Sequence, residues 1–350
     1  MLIMPSVSFM PAHDTVLQYA IFGKLPSRDD FVRHGSTSHP AVLEFDGVIA
    51  RSLVYASSQM GWSEETALGS GTSGYLFSTH DRRWCYFGAL RPSRDRAGRL
   101  YPLVAGIILP SYAVAPYSPE LSIANEQFFA DLQKSLSSSV DTGDLPGCQQ
   151  FLSAPCTDAN PHTRNDLARE DLELGGKLLA RHLANTPISR LQTALAQRGS
   201  FTLDDVLVAF IYHADLLRRL GQNAPKQVIA LPLSEKQGET ALDQATWLAF
   251  YRAAMGKNKT RFPDYIAKNE GRQYTLTLAP GRLGERCMGA LWNVKNDTAS
   301  MLDAGAADAS WKRQPAWAEA AYLLGRQVQD HSSDLASLLS TVERIAGNVV

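Results

Sequence analysis

Only four cysteines stand in the 350 residues, and Cys85, Cys148, Cys156 and Cys287 are too scattered for the paired C-x2-C spacing of a structural zinc site. They are expected as small buried hydrophobes, with no metal and no other cofactor. An excess of one charge is also missing. The 34 Lys and Arg against 35 Asp and Glu leave a formal net charge of -1. No global basic field is available to neutralise phosphates, which excludes nucleic acid as the main partner. Long apolar runs are absent too: LVAGIILP at 103–110 falls far below the roughly 20 residues that span a bilayer. No membrane insertion is expected. The opening MLIMPSVSFMPAHDTVLQYA has no basic stretch ahead of its apolar residues and is interrupted by Pro5 and Pro11, so it does not read as a secretory signal. A cytoplasmic location is the expectation.

Catalytic signatures are missing as well. There is no H-E-x-x-H, EF-hand loop or Walker A motif. GKLPSRDD at 23–30 has Gly-Lys without the upstream glycine or the following Ser or Thr that would cradle a phosphate and hold magnesium. GSGTSG at 69–74 matches G-x-G-x-x-G by letter, yet the residues after it alternate like a strand. Without a helix N-terminus aimed at the anion such a loop loses its driving force, so it reads as a flexible loop before a strand. Ser73 lacks the G-x-S-x-G spacing of a nucleophile elbow. His213, flanked by apolar residues in a helical pattern, reads as a packed core histidine, and the adjacent Asp29 and Asp30 read as a solvated turn. The chain is therefore expected not to be an enzyme. A hydrolase or nucleotide-binding alternative would have to use Ser73, His80 and Asp81 near the 69–74 loop.

What is present is an ordinary globular composition, 45% hydrophobic and 20% charged, long enough for two domains. The expected fold class is α/β, a mixed, largely antiparallel sheet flanked by helices, followed by a second helix-rich α/β unit. The first block covers 17–137. VLQYAIFGKLP reads as a strand entering a turn. From Pro40, the positions Val42, Leu43, Phe45, Val48, Ile49, Leu53 and Val54 trace one helical face. Residues 73–79 and 84–90 read as a hairpin, RLYPLVAGIIL as a third strand buried on both faces, and 119–136 as a closing helix. The polar stretch 138–165 is the linker or boundary candidate, and 166–350 the second, helix-rich α/β domain. There, helical periodicity occupies 165–185, and Thr202 with Asp205 starts a helix that Gly221 ends. QVIALPL, RQYTLTLA and RCMGALW read as strands, 241–255 as a helix, and Leu335 to Ile345 as a final helical stripe. Gly-Ala-Leu at 88–90 and again at 289–291 hints at a duplicated unit.

The segment GALRPSRDRAGRLYPLVAGIILP at 88–110 sets four arginines between apolar runs. Pro92, Ser93, Asp95 and Gly98 are turn formers, so the segment folds the third strand back beside the second. Arg94, Arg96 and Arg99 exceed what a turn requires. An arginine fork binds a carboxylate bidentately, so Asp95 or Asp30 with Arg99 or Arg28 could pin this loop to the first turn. The other reading is a surface for an acidic or phosphorylated partner.

FGKLPSRDDFVRHG at 22–35 together with GALRPSRDRAGRLYPL at 88–103 resembles the N-terminal domain of the TagF (ImpM) family of bacterial type VI secretion accessory proteins. Gly23, Lys24, Leu25, Pro26, Ser27, Arg28, Asp30, Phe31 and Val32 match the family's first motif. Pro92, Ser93, Asp95, Gly98, Arg99, Tyr101, Pro102 and Leu103 match its second. Asp29 departs from the pattern, standing where the family usually has glycine. The resemblance covers 17–137 directly and implies a cytoplasmic, non-enzymatic, post-translational regulator, a repressor acting by protein binding. Its implied partners are type VI secretion regulatory or structural proteins, including a forkhead-associated scaffold. The implied partner-binding residues are Lys24, Arg28, Asp30, Arg94, Asp95, Arg99 and Tyr101. The alternative within the same system is a structural or self-associating subunit using apolar surface such as Trp311 and Trp317.

Overall fold

The computed structural model describes residues 17–156, 161–197, 202–221, 224, 227–236, 238–256, 261–269, 274–292, 315–330 and 332–349. The chain opens with β1 (Gln18–Gly23), β2 (Val32–Gly35), α1 (Pro40–Ser57), α2 (Glu64–Leu68), β3 (Ser73–Ser78), β4 (Trp84–Arg91) and β5 (Leu103–Pro110). Helices α3 (Ser111–Val114), α4 (Ser118–Ala124), α5 (Glu126–Thr142), α6 (Pro146–Ser153), α7 (Pro161–Asn185), α8 (Ile188–Ala196) and α9 (Leu203–Leu220) follow. Then come β6 (Ile229–Leu233), α10 (Glu239–Ala254), β7 (Asp264–Asn269), β8 (Tyr274–Ala279), α11 (Pro315–Val328) and α12 (Leu335–Val349).

The eight strands form one sheet in the order β2-β1-β5-β4-β3-β7-β8-β6, and every neighbouring pair is antiparallel. The continuous apolar run of β5 is buried at every position, as a central strand covered on both faces requires. One face carries α1: Val42, Phe45, Val48 and Ile49 pack with Phe22, Tyr75, Phe77 and Tyr86. The other carries α5, α6 and α10, with Phe128, Leu132, Leu152 and Trp247 in a core that includes Leu76, Phe87 and Ile107. The α1 stripe is narrower than the sequence suggested, since Leu43 and Val54 lie on its outer side, 49% and 71% exposed.

Several local signals act as expected. Thr202 caps α9, its hydroxyl accepting the Asp205 amide, and Gly221 follows the last turn. Others yield to tertiary context. The helix expected over 119–136 breaks at Asn125, whose side-chain amide bonds back to Leu121 O at 3.0 Å and competes with the helical pattern. RCMGALW is not a strand: it forms turns and a short 3-10 helix, Gly289–Trp292. Gly-Ala-Leu thus occurs once in a strand and once in a helical turn, which removes the hint of duplication. The stretch 138–165, expected as a linker, holds the end of α5, all of α6 and the start of α7, with Cys148 and Leu152 fully buried. Where described, it mixes exposed polar positions such as Ser138 and Asp141 with buried ones such as Ser139.

Two strands carried no readable sequence signal, β2 and β7. The second joins the halves of the chain: β3 pairs with β7 from Ser73↔Lys268 to Leu76↔Tyr265, so strands of both sequence blocks share one sheet. A fully buried carboxylate fastens this seam. Asp264 accepts Ser78 N at 3.1 Å, Ser78 Oγ at 2.5 Å and Leu283 N at 3.0 Å. Arg82, held at φ 59°, lies 3.9 Å from the same carboxylate and donates to the carbonyls of Phe262 and Gly281. Burial pushes the Asp264 carboxyl above its ordinary range, and Arg82 works against that shift.

Candidate functional site: a motif rim at the end of the sheet

The two motif loops of the sequence meet at one rim, where β1 ends and where β4 turns into β5. Gly23 makes the approach possible: at φ +132° it sits where any Cβ would run into the Pro102 carbonyl. The loop backbones then bond directly, Arg96 N donating to Arg28 O at 2.9 Å.

Asp95 is the centre of the rim. Its side chain is wholly buried and accepts Arg99 N at 2.9 Å and Arg99 Nε at 2.7 Å, with Lys24 Nζ at 3.1 Å. Desolvation alone would raise the carboxyl, but the Arg99 amide and the Lys24 and Arg99 side chains outweigh it and hold it at about 2. Gly98, at φ +85°, closes the turn by donating its N–H to Asp95 O at 2.9 Å. Arg99 reaches on to Asp29 O at 2.8 Å, and Lys24 to Arg99 O at 3.3 Å. Tyr101 lies across α1, its hydroxyl donating to Asp46 and its ring meeting Phe31 edge-on at 5.2 Å. Burial first, and the Asp46 carboxylate second, push its phenol far up. Ser27 ties the rim to the end of α5, its hydroxyl donating to Gly143 O at 2.5 Å.

The seven residues expected to bind a partner therefore divide. Lys24, Asp95, Arg99 and Tyr101 are wired into the loops. Arg28, Asp30 and Arg94 are exposed, and no hydrogen bond or ion pair to another described residue engages their side chains. Of the pairings considered from sequence, Asp95 with Arg99 forms, whereas Asp30 and Arg28 point outward. Asp29, read from the sequence as part of a solvated turn, pairs with Arg96 at 3.0 Å. Among the described residues Arg82 alone combines a side chain with positive φ. Asp29, where the resemblance led to an expectation of glycine, thus carries no backbone strain and adds an ion pair.

The residues weighed for catalysis do not gather. Ser73 opens β3, while His80 and Asp81 follow its far end, about 20 Å along the strand. Asp81 is engaged locally by Thr79 and the Arg83 amide, and His80 N by Glu44 at 2.9 Å. The 69–74 loop runs into β3 and not into a helix. His213 is fully buried within α9. Cys85, Cys148 and Cys287 are buried, and burial pushes the Cys85 and Cys148 thiols up to about 12. Trp317 packs against Tyr212 and is 4% exposed, so it offers no self-association surface. Trp311 lies outside the described residues. No described helix is long and apolar enough to cross a membrane.

Fold and rim together define an α/β protein on a single antiparallel sheet, with two polar motif loops locked at one end. Residues 20–154 match the TagF N-terminal domain, Type VI secretion system-associated. The similarity is to the N-terminal domain of these type VI secretion-associated proteins, and residues 155–350 lie outside the match. The crystal structure of PA0076 from Pseudomonas aeruginosa PAO1 is similar over 45% of this chain and 77% of that chain, at 20% sequence identity and a TM-score of 0.34. No curated protein matches the chain.

Proposed function

We propose that this protein is a non-enzymatic, cytoplasmic regulator that represses a type VI secretion system after translation by binding another protein of that system, a forkhead-associated scaffold being the partner proposed. The observation that carries the reading is the division of labour at the rim. The Lys24, Asp95 and Arg99 lattice fixes the loop backbones, and the fixed loops present Arg28, Asp30 and Arg94 to solvent without side-chain partners. Pre-ordered loops reduce the conformational cost of association, and unpaired charges supply complementarity and specificity.

Calorimetric titration of the purified scaffold tests the reading with the double variant Arg28→Glu/Arg94→Glu. Both positions are exposed, so the variant should fold with an unchanged Tm and bind at least about 10-fold more weakly, the factor that roughly 1.4 kcal/mol of lost complementarity produces. Unchanged affinity in the folded variant would remove the rim as the docking face.

A further inference from the structure

A second feature lies on the opposite side of the seam, where the TagF domain meets the C-terminal region. A cavity of about 350 Å³ opens between α4, α5 and β3 on one side and β6, β7, β8 and α10 on the other. Its volume falls in the range of small-ligand sites, about 300–1,000 Å³. Gly74 contributes to the space, since a Cβ there would stand 3.5 Å from Gln133 Nε2. The polar lining is sparse and convergent. Ser122, Gln244 and Tyr265 are 4%, 8% and 3% exposed, and all three line the cavity. Ser122 and Gln244 both engage the Tyr265 hydroxyl, so three polar groups converge on one wall of the cavity and can orient something bound there.

The charge and the aromatic walls specify what that something is. Two carboxylates line the cavity, Glu126 and Glu235. Glu126 accepts Gly238 N at 2.9 Å through one oxygen, and Glu235 is exposed with no partner among the described residues. Lys268 also belongs to the lining. Strand alternation nonetheless sets its side chain with Ile266, on the face opposite Tyr265 and Ala267. Lys134 borders only an adjoining shallow groove. Phe129, three residues after Glu126 on α5, supplies an aromatic wall of the kind that attracts cations. Anionic ligands such as nucleotides meet two carboxylates here and are disfavoured.

We infer that this cavity binds a small organic cation, an ammonium or guanidinium on a short apolar body. The charged head sits between Glu126 and Glu235, and the far end meets Ser122, Gln244 and Tyr265. Because both halves of the chain build the walls, the site belongs to the extended protein and not to the TagF domain alone. It is independent of the rim, and the Arg28→Glu/Arg94→Glu variant leaves it intact.

Thermal-shift and calorimetric titration of the full chain with agmatine and cadaverine tests the inference, with a short arginine-containing peptide as the arm for a cation borne by another protein and AMP and adenosine as anionic and neutral controls. Saturable binding of a cation is expected, weakened at least about 10-fold by Glu235→Gln and abolished by Ala130→Trp, a substitution at an exposed position of the mouth. Binding of the peptide but neither amine would assign the same chemistry to a partner's side chain. Absence of saturable cation binding by the folded wild type, equal binding by Ala130→Trp, or preference for AMP or adenosine would overturn it.

Discussion

Asp95 does for the rim what no neutral side chain could. Its two oxygens serve a backbone amide, a guanidinium and an ammonium at once, and these partners hold its pKa at about 2 against an ordinary value of 3.8. A carboxyl depressed in the folded state contributes stability that is fully present above its unfolded pKa and is lost as pH falls through the folded one. The rim is therefore expected to weaken between about pH 4 and pH 2. Asp95→Asn should lower Tm at pH 7 and should flatten the acid limb in that interval, which circular dichroism melts across the pH range would record. An acid limb identical to wild type would contradict the assignment. This residue was readable in the sequence, because Asp95 and Arg99 stand four apart among turn formers. The neighbouring Arg28, Asp29 and Asp30 were not: three consecutive polar residues in a turn carry no periodicity, and their directions follow from where Arg96 happens to reach.

At the scale of elements, the seam between β3 and β7 is fastened by one buried carboxylate, Asp264, and the Arg82 beside it. Removing one member of a buried ion pair leaves the other uncompensated, so Arg82→Ala is expected to destabilise the chain by about 3 kcal/mol in urea unfolding. Arg82→Lys should recover little, since a point charge cannot serve Asp264 and two separated carbonyls together. A loss below about 1 kcal/mol would show that Asp264 is satisfied by Ser78 and Leu283 alone. The elements with strong periodicity or uniform burial, β5, α1, α9 and α12, were legible from pattern. β7 was not, because it buries Asp264 and Lys268 within a short strand, and charged residues erase the alternation that marks a strand. RCMGALW failed for the opposite reason: Cys287, Met288, Leu291 and Trp292 are buried, with Trp292 Nε1 donating to Ser52 Oγ of α1 at 2.8 Å, but in a turn and not in a ladder. Burial fixed its composition without fixing its geometry.

For the whole molecule, one sheet runs through both sequence blocks, and its order could not be read because neighbours such as β3 and β7 lie almost 200 residues apart. Cutting the chain after residue 156 would leave β3 as an open edge and strip α10 from the larger core. A 17–156 fragment is expected to melt at a lower temperature than the full chain and to aggregate, while the full chain unfolds in one calorimetric transition. A fragment as stable as the full chain would show the C-terminal region to be dispensable to the fold.

The rim gives that fold its proposed purpose, and secretion itself reads it out. In a strain lacking the gene, the amount of type VI substrate released into the medium should rise, return to the wild-type level when the wild-type protein is restored, and stay high when Arg28→Glu/Arg94→Glu is expressed at the same level. Secretion indifferent to the deletion, or fully restored by the double variant, would contradict the account.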